Sequence, residues 1–254
     1  MPACAERVGA CYPLGVTTAA RPPLPLPIST PLAPPDGFDA RLAEIGVRLD
    51  APVLAKLGDY LARLLAMNEQ MNLTAIKDPT EAWEKHALDA LTLLPLLGDV
   101  GAGSRLVDIG SGGGLPGIPI AIARPDLQVT LVDATQKKTA FLSAVAEALG
   151  LTNVEARAGR AEQLGASELR GGFDVVTARA VARLHALVPL TAPFAKPGGL
   201  VLLVKGQRAD EELAEAKRVL VEQGTTHEKT VATPTGRIVV LRRGSGEARR
   251  KGKR

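Results

Sequence analysis

Two aspartates 25 residues apart, Asp108 and Asp133, each close an apolar run, and the first run passes directly into Gly110-Ser111-Gly112-Gly113-Gly114-Leu115-Pro116-Gly117. The pattern describes a strand ending in an acid, a glycine loop that a ligand can approach closely, and a second acid at the end of the next strand. Such parts suit an adenosine-containing cofactor at the carboxyl edge of a parallel sheet. Residues 112–117 also satisfy G-x-G-x-x-G, the dinucleotide spacing. A pyrophosphate, however, needs free backbone N–H groups and no nearby anion. Pro116 and Pro119 remove two donors from the first helical turn, and Asp108 would repel a phosphate. An acid there suits the ammonium group of S-adenosylmethionine, and Asp133 suits the ribose hydroxyls. Asp108, Gly110, Gly112 and Gly114 thus spell the methyltransferase form, Asp-x-Gly-x-Gly-x-Gly, with a nicotinamide or flavin enzyme as the alternative.

The elements that must hold these residues alternate from Arg105 onward. Strands are predicted at residues 106–109, 128–132, 153–156, 173–178 and 199–205, with helices between them. The helix after Asp133 closes at Gly150, and two last extended segments meet at Pro234-Thr235-Gly236 as an antiparallel pair. This order predicts a doubly wound α/β sheet with ligands at its carboxyl edge. Residues 101–243 would form this domain.

Residues 36–100 read as a helical appendage. Val53, Leu57, Leu61 and Leu64 line one helix face, and a second helix opens at Asp78-Pro79-Thr80-Glu81, with the acid at N-cap and proline at N1. Trp83, Ala87, Leu91 and Leu94 form its apolar stripe. Lys85, His86 and Asp89 fall on another face, where Lys85 and Asp89 are expected to pair and His86 to lie at the surface or boundary.

Residues 1–35 hold nine of the 19 prolines and are expected to be disordered. Cys4 and Cys11, the only cysteines, lie there, which argues against a disulfide framework, a zinc cluster or a core cysteine nucleophile. His86, His185 and His227 are too scattered for a metal site. No 18-residue apolar run exists, so no membrane association and a cytoplasmic location are expected. Residues 242–254 carry seven bases against one acid; the chain's net charge of +4 therefore resides in its tail, and the rest is slightly acidic. Residues 244–254 read as a flexible cationic arm able to meet phosphate backbones, or as a solubilising terminus.

With these residues in view the chain resembles the RsmG (GidB) family, bacterial methyltransferases that modify N7 of a guanine, conventionally nucleotide 527, in 16S ribosomal RNA. The resemblance is carried by Met71-Asn72-Leu73-Thr74-Ala75-Ile76, by His86-Ala87-Leu88-Asp89, by the glycine loop through Pro119, by Arg160-Ala161-Glu162, by Thr177-Ala178-Arg179-Ala180 and by Leu203-Val204-Lys205-Gly206-Gln207. It spans about residues 60–210 and leaves the proline-rich start and basic tail outside. It implies a Rossmann-like class I fold with a mostly parallel seven-stranded sheet, and S-adenosyl-L-methionine as cofactor. It further implies that Gly110 and Leu115 touch the cofactor, that Ala161 and Glu162 border the adenine, and that Arg179 both binds the cofactor and faces the transfer site as the catalytic candidate. The implied partner is 16S ribosomal RNA or the small ribosomal subunit; separately, a monomer is expected, with nothing in the sequence deciding the oligomeric state.

What is absent fits that chemistry. Methylation at pyrimidine C5 needs a cysteine nucleophile. Exocyclic amines usually go with an Asn/Asp-Pro-Pro-aromatic turn, where this chain has Ala178-Arg179-Ala180-Val181. Ribose 2′-O transfer wants an acid-flanked lysine, and Lys205 has no acid after the fourth strand to serve it. Guanine N7 carries a lone pair and no proton, so it needs no general base. Arg179, Arg183, His185, Lys205 and Arg208 are expected to form a basic rim beside the cofactor. The alternatives are a methyltransferase of a protein or small molecule, and a noncatalytic cofactor-binding protein.

Overall fold

The computed structural model describes residues 24–179 and 182–245. Cys4, Cys11 and the tail beyond Ser245 lie outside the described residues, and so do the expectations that rest on them. Strands β1 (Arg105–Ile109), β2 (Gln128–Asp133), β3 (Val154–Ala158), β4 (Phe173–Arg179), β5 (Ala195–Lys205), β6 (Thr225–Thr233) and β7 (Gly236–Arg243) form one sheet in the order β3-β2-β1-β4-β5-β7-β6. The first five are parallel, and β7 lies antiparallel between β5 and β6. The order reverses at β1, which opens a crevice at the carboxyl ends of β1, β2 and β4. This is the doubly wound, Rossmann-like sheet that the alternation predicts.

Side-chain alternation sorts the core into two layers. Leu106, Leu131, Val175, Leu202 and Ile238 face helices α2 (Ala51–Met71), α5 (Gly117–Ala123) and α6 (Gln136–Ala148). Val107, Val132, Val176, Leu203 and Val239 face α8 (Leu184–Thr191) and α9 (Ala209–Glu222). The same parity puts Asp108, Asp133, Thr177 and Arg179 on the first face, under the N-terminal helices. Lys205 is left on the second.

Ahead of the sheet, α1 (Phe38–Glu44) and α2 precede α3 (Pro79–Ala82), which continues through a π-helical stretch, Trp83–Leu88, into α4 (Asp89–Leu91). Asp78 caps α3 as its spacing predicts, accepting from Glu81 N–H at 2.8 Å. Trp83 is buried edge-on to Phe38, with ring centroids 4.8 Å apart. Gly150 ends α6 with φ +64° and donates to Glu147 O at 3.0 Å. Among the described residues no helix is long and apolar enough to cross a membrane.

Residues 24–35 correct the expectation of disorder over 1–35. They form an extended strap whose Leu24, Leu26 and Leu32 pack against the core, and Leu32 N–H donates to Gly58 O of α2 at 3.1 Å. The leucines between prolines find an apolar groove, and prolines lower the entropy lost on ordering. A Cβ on Gly58 would stand 2.0 Å from Leu32 O, a backbone atom that cannot swing aside. Gly58→Ala is therefore expected to lower the melting temperature despite alanine's higher helix propensity. The clash costs about 1–3 kcal/mol against a propensity gain of about 1 kcal/mol. Thermal unfolding checks this: if Gly58→Ala melts above the native chain, the strap is not seated there.

Candidate functional site

Gly110, Gly112 and Gly114 have φ of +73°, +57° and +102°, a region in which other residues are strained. Gly110 and Ser111 both donate to Val132 O, at 2.8 and 3.0 Å, which pins the loop across the end of β2. The second acid latches it there. Asp133 accepts from Gly112 N–H at 3.0 Å through Oδ2 and from Thr135 N–H at 2.8 Å through Oδ1. A Cβ on Gly112 would meet nothing closer than Gly110 O at 3.9 Å, so the loop is open where a ligand would lie against it. An open glycine ledge beside a carboxylate fits the adenosine end of S-adenosylmethionine.

Asp108 is placed differently from the expectation that it meets the ammonium group. It is fully buried beneath α5, accepting from Gly117 N–H at 3.2 Å and Thr177 Oγ1 at 3.0 Å. Strand parity is the reason, because β1 runs on to Ile109 and Asp108 points into the helix layer instead of over the edge. Its carboxylate shapes the loop from below. A Cβ on Gly117 would fall 3.1 Å from Asp108 Cβ and 2.2 Å from Leu131 Cδ2, so glycine is required for α5 to start so close to the sheet. Leu115 is buried at the same turn.

Helix α2 backs the loop. Buried Tyr60 donates to Gly113 O at 2.9 Å, and a Cβ on Gly113 would meet Leu64 Cδ1 at 2.6 Å. Burial raises the Tyr60 pKa, so its hydroxyl remains a donor. On the opposite flank Ala161 and Glu162 open the short helix α7 (Ala161–Leu164) directly after β3; Ala161 is half-buried and Glu162 exposed.

Arg179 ends β4 above Asp108 and joins three elements. Its Nη1 donates to Lys85 O at 2.9 Å and to Asp89 Oδ2 at 3.1 Å. The other oxygen of Asp89 accepts a short hydrogen bond from Thr235 in the β6–β7 turn. Nε and Nη2 of Arg179 donate to no group among the described residues. Beside it, Thr74 Oγ1 lies 2.8 Å from His86 Nε2, and His86 Nδ1 donates to Lys85 O at 3.1 Å, so the ring proton sits on Nδ1 and Nε2 accepts from Thr74. Asn68 Oδ1 and Thr74 Oγ1 accept the N–H groups of Thr74 and Ile76, which fixes the loop after α2 against this cluster.

Two sequence expectations fail here. Lys85 is exposed and pairs with Glu81 at 2.6 Å, not with Asp89, and His86 is buried. The π-helical turn explains both, because its longer repeat rotates His86 and Asp89 into the protein where a regular helix would turn them outward. The basic rim also divides. Lys205, on the second sheet face, donates to Ala182 O at 2.6 Å and pairs with Glu212 at 2.9 Å, while Arg183 and Arg208 pair with Glu215 and Glu211. The sequence pattern assigns no role to Tyr60, Thr74, Thr177 or Thr235. Thr74 and Thr177 lie inside the motifs of the family resemblance, whereas nothing in the pattern signals Thr235.

Two buried groups titrate abnormally, with opposite consequences. Burial pushes Asp108 up to about 6, from an ordinary 3.8, so the folded state holds its proton more tightly and the group loses stability as pH rises through that window. Burial, aided by Arg179, pulls His86 down to about 4 from 6.5, so this group loses stability as pH falls from 6.5 toward 4. Each effect is on the order of 3 kcal/mol, so they offset one another between pH 4 and 6. Asp108→Asn is expected to leave stability rising steeply with pH across that range, and His86→Gln to leave it falling. Parallel slopes in the two variants, measured by denaturant unfolding, would refute the assignment.

The chain's residues 53–239 match the family model described as GidB, rRNA small subunit methyltransferase G. A protein of that name from Sorangium cellulosum (strain So ce56) is 70% identical over 230 residues, covering 91% of this chain and 96% of the relative. One from Halorhodospira halophila (strain DSM 244 / SL1) is 42% identical over 204 residues, covering 80% and 94%. Among solved structures, a SAM-dependent methyltransferase from Aquifex aeolicus aligns with TM-score 0.53 at 17% identity, covering 67% of this chain and 96% of that one. The [4+2]-cyclase SpnF aligns with TM-score 0.50 at 18% identity, covering 63% and 82%. The fold alone therefore leaves the reaction open.

Proposed function

Because the chain belongs to the GidB family of small-subunit ribosomal RNA methyltransferases, we propose that it transfers the methyl group of S-adenosylmethionine to N7 of a guanine, nucleotide 527, in 16S ribosomal RNA. The observation that carries the choice of acceptor atom is that, among the described residues, the titratable groups packed around Arg179 are all engaged. His86 is buried with both ring nitrogens engaged, Asp108 is sealed under α5, Asp89 is held by Arg179 and Thr235, and Tyr60 is bonded to the loop. Such a site suits an acceptor that has no proton to lose, as guanine N7 does not.

S-adenosylmethionine, when bound, supplies an electrophilic methyl group on a sulfonium. Asp133 would hold the ribose hydroxyls, with Ala161 and Glu162 beside the adenine and the backbone of Gly110, Gly112 and Gly114 as the ledge beneath. Arg179 would offer its unused N–H donors to guanine O6, orienting the base while leaving the N7 lone pair free. Its pairing with Asp89 matters for charge, because positive charge appears on the guanine during transfer. An unneutralised guanidinium would oppose it. Positioning in a water-poor crevice then accounts for most of the catalysis. A guanine whose N7 is enclosed in a helix would first be exposed or flipped out.

The test is transfer of a labelled methyl group to small-subunit RNA lacking its natural modification, offered naked and as assembled particles. Reduction and chain cleavage then map any N7-methylguanine. One cleavage at that guanine is the expected result. Transfer to neither form, with cofactor binding intact, would point to a protein or small-molecule acceptor.

A further inference from the structure

The cations around the carboxyl edge fall into two groups. On the β4–β5 side they are neutralised by α9, whose first turn holds Asp210, Glu211 and Glu212. Arg237, Arg208 and Lys205 pair with these acids at 3.5, 3.2 and 2.9 Å, and Arg183 pairs with Glu215 one turn on. On the β2–β3 side, Lys137, Lys138 and Arg160 take part in no ion pair among the described residues. Lys137 and Lys138 open α6 immediately after the loop that follows Asp133, and Arg160 precedes α7 directly after β3. Because β2 and β3 are adjacent and parallel, with Asp133 opposite Ala158, all three cations stand on one flank of the crevice mouth.

Their placement also runs against local preference. Positive charge in the first turn of a helix opposes its dipole, α6 has no acid there, and Thr135 makes no side-chain cap. The acids of α9 are where the dipole favours them. Local cost without a compensating partner marks residues kept for a ligand.

We propose that the β2–β3 flank, through Lys137, Lys138 and Arg160, is the surface that grips the phosphate backbone of the RNA substrate, and that the β4–β5 flank is electrostatically spent. This rests on the ribosomal RNA reading above and names the face that such a substrate must cross. The described body of the chain is not basic overall, so phosphate binding depends on where its unpaired cations stand.

The experiment compares the native chain, Lys137→Gln/Lys138→Gln/Arg160→Gln and Arg183→Gln/Arg208→Gln in equilibrium binding to naked small-subunit RNA over a range of salt. The triple variant is expected to bind tenfold or more weakly, with a log–log salt slope shallower by about 2 to 3, since each phosphate contact contributes roughly 0.7–0.9. Its affinity for S-adenosylmethionine should stay within about twofold of native, and its melting temperature should not fall, because the dipole conflict is relieved. The double variant should bind RNA as the native chain does. A native salt slope in the triple variant, an equal loss in the double variant, or loss of cofactor affinity in the triple variant would each overturn the proposal. Failure of the native chain to methylate the RNA would count against the ribosomal reading alone, because the slope is read from binding.

Discussion

Arg179→Ala is expected to slow single-turnover methyl transfer about a hundred- to a thousandfold while changing the affinity for S-adenosylmethionine by less than about tenfold, the range seen when one preorganised donor is removed from a reacting centre. Among the described residues, the guanidinium reaches from the end of β4 to the helical region while keeping N–H donors unused. Removing it frees Asp89 from its partner and leaves the base without an O6 donor, so the loss appears in the chemical step. Lysine is a poor substitute because its single nitrogen lacks the planar fork with which Arg179 holds Lys85 O and Asp89 through Nη1 while Nε and Nη2 face elsewhere. Asp89→Asn should also slow transfer, by leaving the Arg179 charge to face the cationic product. Equal losses of cofactor binding and of rate in Arg179→Ala would show that the side chain holds the cofactor instead of the base.

Asp133→Ala is expected to weaken S-adenosylmethionine binding about a hundredfold or more. A hydrogen bond to a charged acceptor contributes roughly 1.5–3 kcal/mol, and the ribose offers two hydroxyls to one carboxylate. The same substitution releases Gly112 N–H and Thr135 N–H, so the ledge loses its latch to β2 as well. Asp133→Asn, which keeps one acceptor oxygen, should fall between the two. Calorimetry decides: binding of Asp133→Ala with native affinity would mean the ribose lies elsewhere.

Much of the frame is legible because it depends on local rules. Alternating apolar runs with a helix after each, a proline behind Asp78, a glycine at position 150 and the turn at Pro234-Thr235-Gly236 each impose their geometry through a few neighbouring residues. Parity along a strand is equally local. With strands predicted to end at Ile109 and Lys205, as observed, it puts Asp108 on the helix-layer face and Lys205 on the face away from Arg179.

The sequence by itself determined the sheet, the glycine ledge, the acid at its lip and the family. Only the tertiary structure decided which charges remain available. Arg179 meets Asp89 across 90 residues and Asp89 meets Thr235 across 146, while α9 lays Glu212 against Lys205 and Glu215 against Arg183. Those pairings arise from how helices pack on the sheet and from a π turn that no 3.6-residue repeat can signal. Ion pairing is a matter of proximity in space, and linear spacing carries that information only within one or two turns of a helix.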